Sequence, residues 1–299
     1  MLLLLALAAI WGASYLFIKL AVSDLEPTVT MCARSLIAAA LLVPYLLVRI
    51  GRRDTLAQLR GAWRDCAVLG AINAAIPFTL VAWGETHVDS SVAGIAQATV
   101  PLFSFLLGLH FLPHERVGPV RWFGLGLGIA GVTVLAGLNP KGGWWAVAGT
   151  LAVVLSSVSY ASGGIYGQRR VAAVAGPVLA TGSMLASALM LLPFAATQLP
   201  SEAPGWKATL SLLALAILGT ALAQLMLFRL LAIAGARRMS LVTFLMPGFA
   251  LMYGAILLDE PVTASAVAGL ALILGGVALG SGSLRRLERA TASAPAGGR

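Results

Sequence analysis

Long apolar stretches alternate with short polar connectors along almost the whole chain. A helix needs about 20 mainly apolar residues to cross roughly 30 Å of hydrocarbon, and each stretch is close to that length. The pattern therefore predicts an all-α membrane protein with ten transmembrane helices. They cover residues 2–21, 28–48, 66–84, 91–112, 120–138, 144–167, 177–196, 208–231, 239–258 and 263–281.

The connectors carry residues typical of helix starts and turns. Asp89-Ser90-Ser91 is expected to cap the fourth helix, and the segment from Asn139 to Gly143 is expected to form a turn. The Leu-rich start could be a cleaved signal peptide. It lacks a basic n-region, however, and its apolar run continues through Ile18, which favours a first membrane helix.

Composition identifies the solvent. Of 299 residues, 59% are hydrophobic and only 10% are charged, with a mean hydropathy of +0.93. A water-exposed domain of this size does not have such a balance, so we expect a lipid bilayer around the chain.

The net charge of +9 does not indicate a nucleic-acid partner, because no basic face with interleaved aromatic residues is visible. Instead, fifteen arginines lie in or beside one alternating set of connectors and the C-terminal segment, whereas the opposite set holds only Lys141 and Lys207. Basic residues mark cytoplasmic loops. We therefore expect a multi-pass protein of the bacterial inner (plasma) membrane with both termini cytoplasmic, including a basic tail at 282–299.

The chain also repeats itself. Four positions of the first half recur in the second half with nearly the same spacing: Pro101, Glu115, Gly124 and Gly131 correspond to Pro247, Glu260, Gly269 and Gly276. The predicted repeats are 1–138 and 144–281, with five helices each. Because five is odd, the second repeat enters the membrane from the opposite side, which predicts two inverted repeats.

These residues resemble a known family. The quoted positions are Trp11-Gly12, Lys19, Pro27 and Arg34 early in the chain, followed by Pro101-Leu102-Phe103, the segment 111–116, Pro247 and the segment 257–261. Together they are similar to the paired EamA-type domains of the drug/metabolite transporter superfamily. The chain departs from the family pattern at Pro113-His114 and Asp259, and its second repeat lacks equivalents of Lys19 and Arg34.

The resemblance implies a ten-helix bundle with a central cavity, and an activity that moves small metabolites, commonly outward. It does not imply a substrate. We expect a secondary transporter that exports amino acids or similar amphipathic compounds by alternating access, with no cofactor. The alternatives are an exporter of drugs or organic cations, and a membrane scaffold subunit that transports nothing.

Charged groups at membrane depth are costly, which makes Arg34 the leading candidate for substrate binding. It either attracts an anionic substrate group or pairs with Asp24, Glu26, Glu85 or main-chain carbonyls. Lys19 either joins it or extends to the membrane interface.

Further candidates are aromatic, polar or proline residues in mid-span, each of which could instead serve helix packing. Trp11 and Tyr15 share a helical face, and Tyr160 matches Trp11 in the second repeat. The complete set of predicted substrate-binding residues is Trp11, Tyr15, Lys19, Arg34, Asn73, Phe78, Gln97, Pro101, Tyr160, Gln224 and Pro247.

Other chemistry finds little support in the sequence. His110 and His114 are four residues apart, but no HExxH order or further ligand cluster accompanies them, so we expect no metal site. Neither a GxSxG elbow nor a phosphate-binding glycine loop is present, so we do not expect an enzyme. No acidic residue falls clearly in mid-span, and Glu115 and Glu260 are interpreted as partners of neighbouring helix N-termini.

Overall fold

The computed structural model describes residues 1–111, 118–137, 143–171 and 173–280, without the side chains of 236–238 and 240. Within these residues the chain is all-helical, and ten helices follow one another. They are α1 (Leu2–Ala21), α2 (Pro27–Gly61), α3 (Trp63–Glu85), α4 (Ser90–Phe111), α5 (Pro119–Ala136), α6 (Gly143–Arg170), α7 (Gly176–Ala196), α8 (Trp206–Gly235), α9 (Leu241–Leu257) and α10 (Ala264–Gly280).

Eight of these described helices are long and apolar enough to cross a membrane, and α9 and α10 are shorter apolar helices. Large apolar side chains point outward on the bundle surface, including Phe123, Leu189 and Ile256, which are 67%, 69% and 68% exposed. Such a surface is suited to lipid and not to water. The prediction of an all-α membrane protein with ten helices is confirmed.

The helix pairings follow the two repeats. Helix α2 packs on α7 and α5 packs on α10, so each of these helices meets its own counterpart. Helix α1 packs on α8 and α9, while α6 packs on α3 and α4. Because α1, α3 and α4 correspond to α6, α8 and α9, these two groups of contacts are equivalent. An inverted repeat related by a pseudo-two-fold axis requires this equivalence.

Glycines allow the closest of these contacts. A Cβ atom added to Gly124 of α5 would lie 2.7 Å from the main-chain oxygen of Gly276 in α10. In α1, a Cβ at Gly12 would lie 2.5 Å from the Cβ of Phe249 in α9. Small residues thus let the helix backbones approach each other, which is how helices associate where lipid removes the hydrophobic driving force.

Two helix interruptions occur at glycines with a positive φ. Gly51 (φ 80°) bends α2, so that the helix continues to Gly61 rather than ending near residue 48. Gly235 (φ 72°) separates α8 from α9. A left-handed conformation costs little only for glycine, which explains why both breaks fall there.

Several sequence predictions concern residues outside the described part. These are Glu115 with its neighbours Pro113, His114 and Arg116, the turn residues 139–142, and the basic tail 282–299.

Candidate substrate cavity

A cavity of about 260 Å³ lies between the two repeats. Its wall is formed by α1, α2, α3, α4, α6, α8 and α9. The lining residues are Trp11, Ser14, Tyr15, Ile18, Arg34, Asn73, Phe78, Val81, Gln97, Val100, Tyr160, Gly219, Thr220, Gln224, Leu227, Thr243 and Met246.

The lining follows the internal repeat. Five lining positions in α3 and α4 have a lining counterpart 146 residues later in α8 and α9, the same separation as that of Pro101 and Pro247. Trp11 and Tyr160 form a further pair, 149 residues apart. The cavity therefore lies on the pseudo-two-fold axis. The five pairs are Asn73 and Gly219, Phe78 and Gln224, Val81 and Leu227, Gln97 and Thr243, and Val100 and Met246.

Two widened helical turns shape this lining. The segments Ala71–Ala75 in α3 and Ile217–Leu222 in α8 are π-helical and occupy equivalent places in the two repeats. A π turn leaves the regular hydrogen-bond pattern and is often found at functional sites. Here side-chain hydroxyl groups donate hydrogen bonds to main-chain carbonyl groups. The hydroxyl of Ser159 donates to the main-chain oxygen of Ile72 (2.6 Å), and the hydroxyl of Thr220 donates to the main-chain oxygen of Leu215 (2.9 Å).

Arg34 provides the positive charge of the cavity. Its side chain is only 6% exposed, and its guanidinium carbon lies 3.7 Å from the centre of the Phe78 ring, a cation–π contact. Its Nε donates to the hydroxyl of Thr220 (2.8 Å), and one Nη lies 3.8 Å from the sulfur of Met31. Thr220 belongs to the second repeat, so this hydrogen bond joins the two halves.

The guanidinium has no acidic partner within the described part of the chain. No carboxylate forms an ion pair with Arg34, and of the three acidic residues considered from sequence, Glu85 acts on it only through a longer-range attraction. A guanidinium has five N–H donors, and the two contacts above use two of them. Three N–H groups are left for a ligand.

Aromatic side chains surround this charge. The rings of Phe78 and Tyr160 have their centres 6.5 Å apart in a tilted arrangement. The Tyr15 hydroxyl points to the sulfur of Met246 at 3.9 Å, across the repeat boundary. The cavity thus combines one cation with an aromatic and aliphatic wall, a composition typical of small-molecule sites.

The three predicted amide residues line the cavity in different ways. Gln97 has interhelical partners, because its amide nitrogen donates to Ser157 (3.1 Å) and its oxygen accepts from Ser156 (2.9 Å). Asn73 and Gln224 make no such hydrogen bond to any residue that the structure describes. Their amides remain available to a ligand.

Three of the predicted substrate-binding residues, Lys19, Pro101 and Pro247, do not line the cavity. The ammonium group of Lys19 donates to the main-chain oxygens of Glu85 and Val88, both at 2.7 Å, and so joins α1 to the end of α3. Pro101 and Pro247 each directly follow a lining residue, Val100 and Met246.

Glu260 binds the start of α4. Its two carboxylate oxygens accept from the main-chain N–H groups of Ser90 (2.7 Å) and Ser91 (2.9 Å), as expected from the sequence.

Asp89 is the N-cap residue of α4, but its side chain makes no capping hydrogen bond, which corrects the expectation that this side chain caps the helix. Burial raises the pKa of Asp89, nearby Glu260 raises it further, and Lys19 lowers it.

Sequence reasoning missed two polar residues of this region. Thr220, which holds Arg34, was not proposed, although the repeat places it one residue after the counterpart of Asn73. Glu85 was considered only as a partner of Arg34, yet its side chain is fully buried. Their roles depend on which way each residue faces, which the period of the pattern alone does not determine.

The profile of the EamA-like transporter family matches residues 1–137 and 147–282, which together make up most of the chain. The chain belongs to the EamA-like transporter family. This is a family of membrane transporters and not of enzymes.

Relatives agree with this assignment. YedA of Escherichia coli, described as an uncharacterized inner membrane transporter, is 33% identical over 205 residues, covering 66% of this chain and 64% of YedA. The matched part therefore spans slightly less than two thirds of that relative. YvbV of Bacillus subtilis, described as an uncharacterized transporter, is 29% identical over 282 residues, covering 93% of this chain and 90% of YvbV.

A crystal structure of another protein has the same fold. It superposes with a TM-score of 0.65 and covers 96% of this chain and 98% of its own, at 23% sequence identity. At this identity the similarity concerns the fold alone.

Proposed function

We propose that the protein is a secondary transporter that exports small amphipathic metabolites with an anionic group, amino acids above all, by alternating access between the two repeats. The observation that carries this proposal is the buried guanidinium of Arg34 in the inter-repeat cavity, without a carboxylate partner in the described chain. Burying a charge is costly unless a partner compensates it. A bound anion is such a partner.

The geometry of the donors suits a carboxylate. With Nε bound to Thr220, the outer N–H groups of the guanidinium remain, and these are the groups that form two parallel hydrogen bonds to a carboxylate. The amides of Asn73 and Gln224 could bind the polar part of the same ligand, and the aromatic wall its apolar part.

Size and charge both disfavour the alternative of a drug or organic-cation exporter. Pockets for drug-sized ligands usually measure about 300–1,000 Å³, and this cavity has about 260 Å³. A cationic ligand would also face the positive charge of Arg34 at low dielectric, where like charges repel strongly.

The location forms part of the proposal. We place the protein in the inner membrane with both termini in the cytoplasm, and the functional repeats at 1–138 and 144–281. The arginine-rich connectors and the inner-membrane description of YedA support this placement.

The test is exchange of radiolabelled compounds by purified protein in liposomes, with a panel of amino acids and organic cations. We expect saturable exchange of at least one amino acid, and its loss in Arg34→Gln. Truncating one partner of a buried charged pair costs about 2–5 kcal/mol, which is a loss in affinity of at least about 30-fold.

Arg229→Gln is the matched control, because Arg229 is also an arginine of a membrane helix but is exposed. It should exchange the same compound as wild type. Exchange of organic cations alone would refute the anion site, and protein-dependent exchange of nothing in the panel would favour a scaffold role.

A further inference from the structure

A second ionisable group lies next to the cavity and is not explained by substrate binding. Glu85, at the end of α3, is 0% exposed, and neither of its carboxyl oxygens has a hydrogen-bond partner among the described residues. It lies one helical turn beyond Val81, which lines the cavity. A buried acid without partners is unusual, since buried polar groups are normally hydrogen-bonded.

The neighbouring charges do not compensate it by contact. The ammonium of Lys19 is bound to the main-chain oxygens of Glu85 and Val88, and no ion pair with the Glu85 carboxylate is formed. Arg34 on α2 and Lys19 on α1 attract the carboxylate at longer range, whereas Glu260 repels it. Tyr15 is a further titratable group within electrostatic range.

Next to Glu85, helix α3 packs closely against the second repeat. A Cβ at the adjacent Gly84 would lie 2.7 Å from a methyl carbon of Val153 and 2.8 Å from the main-chain oxygen of Gly149, both in α6. Neither residue carries a titratable group. Helices α3 and α6 belong to different repeats, so the fully buried Glu85 lies beside a contact that must change if the repeats move.

A carboxylate ion and a carboxylic acid differ strongly in such a place. Removing an ionised carboxylate from water without hydrogen bonds costs several kcal/mol or more, whereas the neutral acid avoids most of this cost. The closed packing therefore favours the acid. If α1, α3 and α6 separate, water reaches the group and the Lys19 ammonium can pair with the ion.

We infer that Glu85 is a proton-binding site, protonated when the repeats close around it and deprotonated when they open. On closure, the carboxylate takes a proton from hydronium and forms an O–H bond, and on opening that bond breaks and the proton returns to water. The nearby ammonium of Lys19 disfavours a metal cation at the same place. The consequence for transport rests on the proposed function: each cycle binds and releases one proton at Glu85.

Infrared spectroscopy of the full chain in lipid nanodiscs tests the proton site without any substrate. We expect the C=O stretching band of a protonated carboxyl group at pH 7 in wild type, and its loss in Glu85→Gln. Glu85→Asp, which keeps an acid, should move the band. Glu26→Gln should retain it, because Glu26 is an exposed acid near the same end of the bundle. Absence of the band in wild type, or its persistence in Glu85→Gln, would overturn the inference.

Transport provides the second measurement. With a substrate from the liposome panel, the ratio of flux with and without a pH gradient should differ from one in wild type and in Glu26→Gln, and should approach one in Glu85→Gln. A ratio of one in wild type, with exchange intact, would refute the coupling and leave the proposed function standing. If no compound is exchanged, the proposed function fails, and the infrared result still decides whether Glu85 binds a proton.

Discussion

Thr220 offers a direct test of how the two repeats share the anion site. Its hydroxyl is buried, donates to Leu215 and accepts from Nε of Arg34 at 2.8 Å. Thr220→Val keeps the shape of the side chain but leaves Nε without its acceptor. A hydrogen bond to a charged group contributes about 1.5–3 kcal/mol, and about 1.4 kcal/mol is a tenfold change in affinity. We therefore expect substrate affinity to fall about 10- to 100-fold.

The assay is equilibrium binding of the exchanged amino acid to purified protein, with the thermal unfolding temperature measured in parallel. Thr220→Ser keeps the hydroxyl and should bind nearly as wild type does. If Thr220→Val binds the substrate with wild-type affinity, the cross-repeat hydrogen bond does not orient Arg34, and that part of the reasoning is wrong.

Three further predictions concern stability, measured as thermal unfolding of the purified protein. Gly124→Ala should destabilise the protein by about 1–3 kcal/mol, because the added Cβ meets backbone atoms of α10. Gly126→Ala should leave the stability unchanged, because a Cβ at Gly126 meets nothing within 4 Å. Equal effects of the two substitutions would contradict close helix contact at Gly124. Glu260→Gln should destabilise the protein by about 1–3 kcal/mol, since a charged acceptor is lost at the start of α4. Asp259→Asn should have little effect on stability, because Asp259 is exposed. Because the pKa of Asp89 is raised in the folded state, its contribution to stability is present at acidic pH and lost as the pH rises. Asp89→Asn should therefore gain stability relative to wild type as the pH rises from 4 to 7. A stability difference that does not change with pH would contradict this sign.

The sequence predicted the helices and the repeat well because both depend on long apolar runs. Lipid requires every backbone polar group to be paired within the segment, so hydropathy specifies the helices strongly. The ends were less accurate: α2 continues past residue 48 because a glycine at 51 bends it rather than ending it.

The sequence predicted in part which residues line the cavity. Trp11, Tyr15 and Tyr160 line the cavity together with Arg34, as expected from the helical face and the repeat. Lys19 does not, because its long side chain can point either way along the helix and it finds two carbonyl groups outside the cavity. Composition and spacing carry no information about that choice.

The repeats differ in charge at the position of Arg34. Since Pro27 corresponds to Pro177, the counterpart of Arg34 is Met184, which is buried and neutral. Two buried positive charges about 8 Å apart would repel by about 2 kcal/mol at an effective dielectric constant of 20. A symmetric assembly of two identical halves would necessarily carry this arginine twice. Joining both halves in one chain lets each side mutate independently, so the central cavity can hold a single arginine.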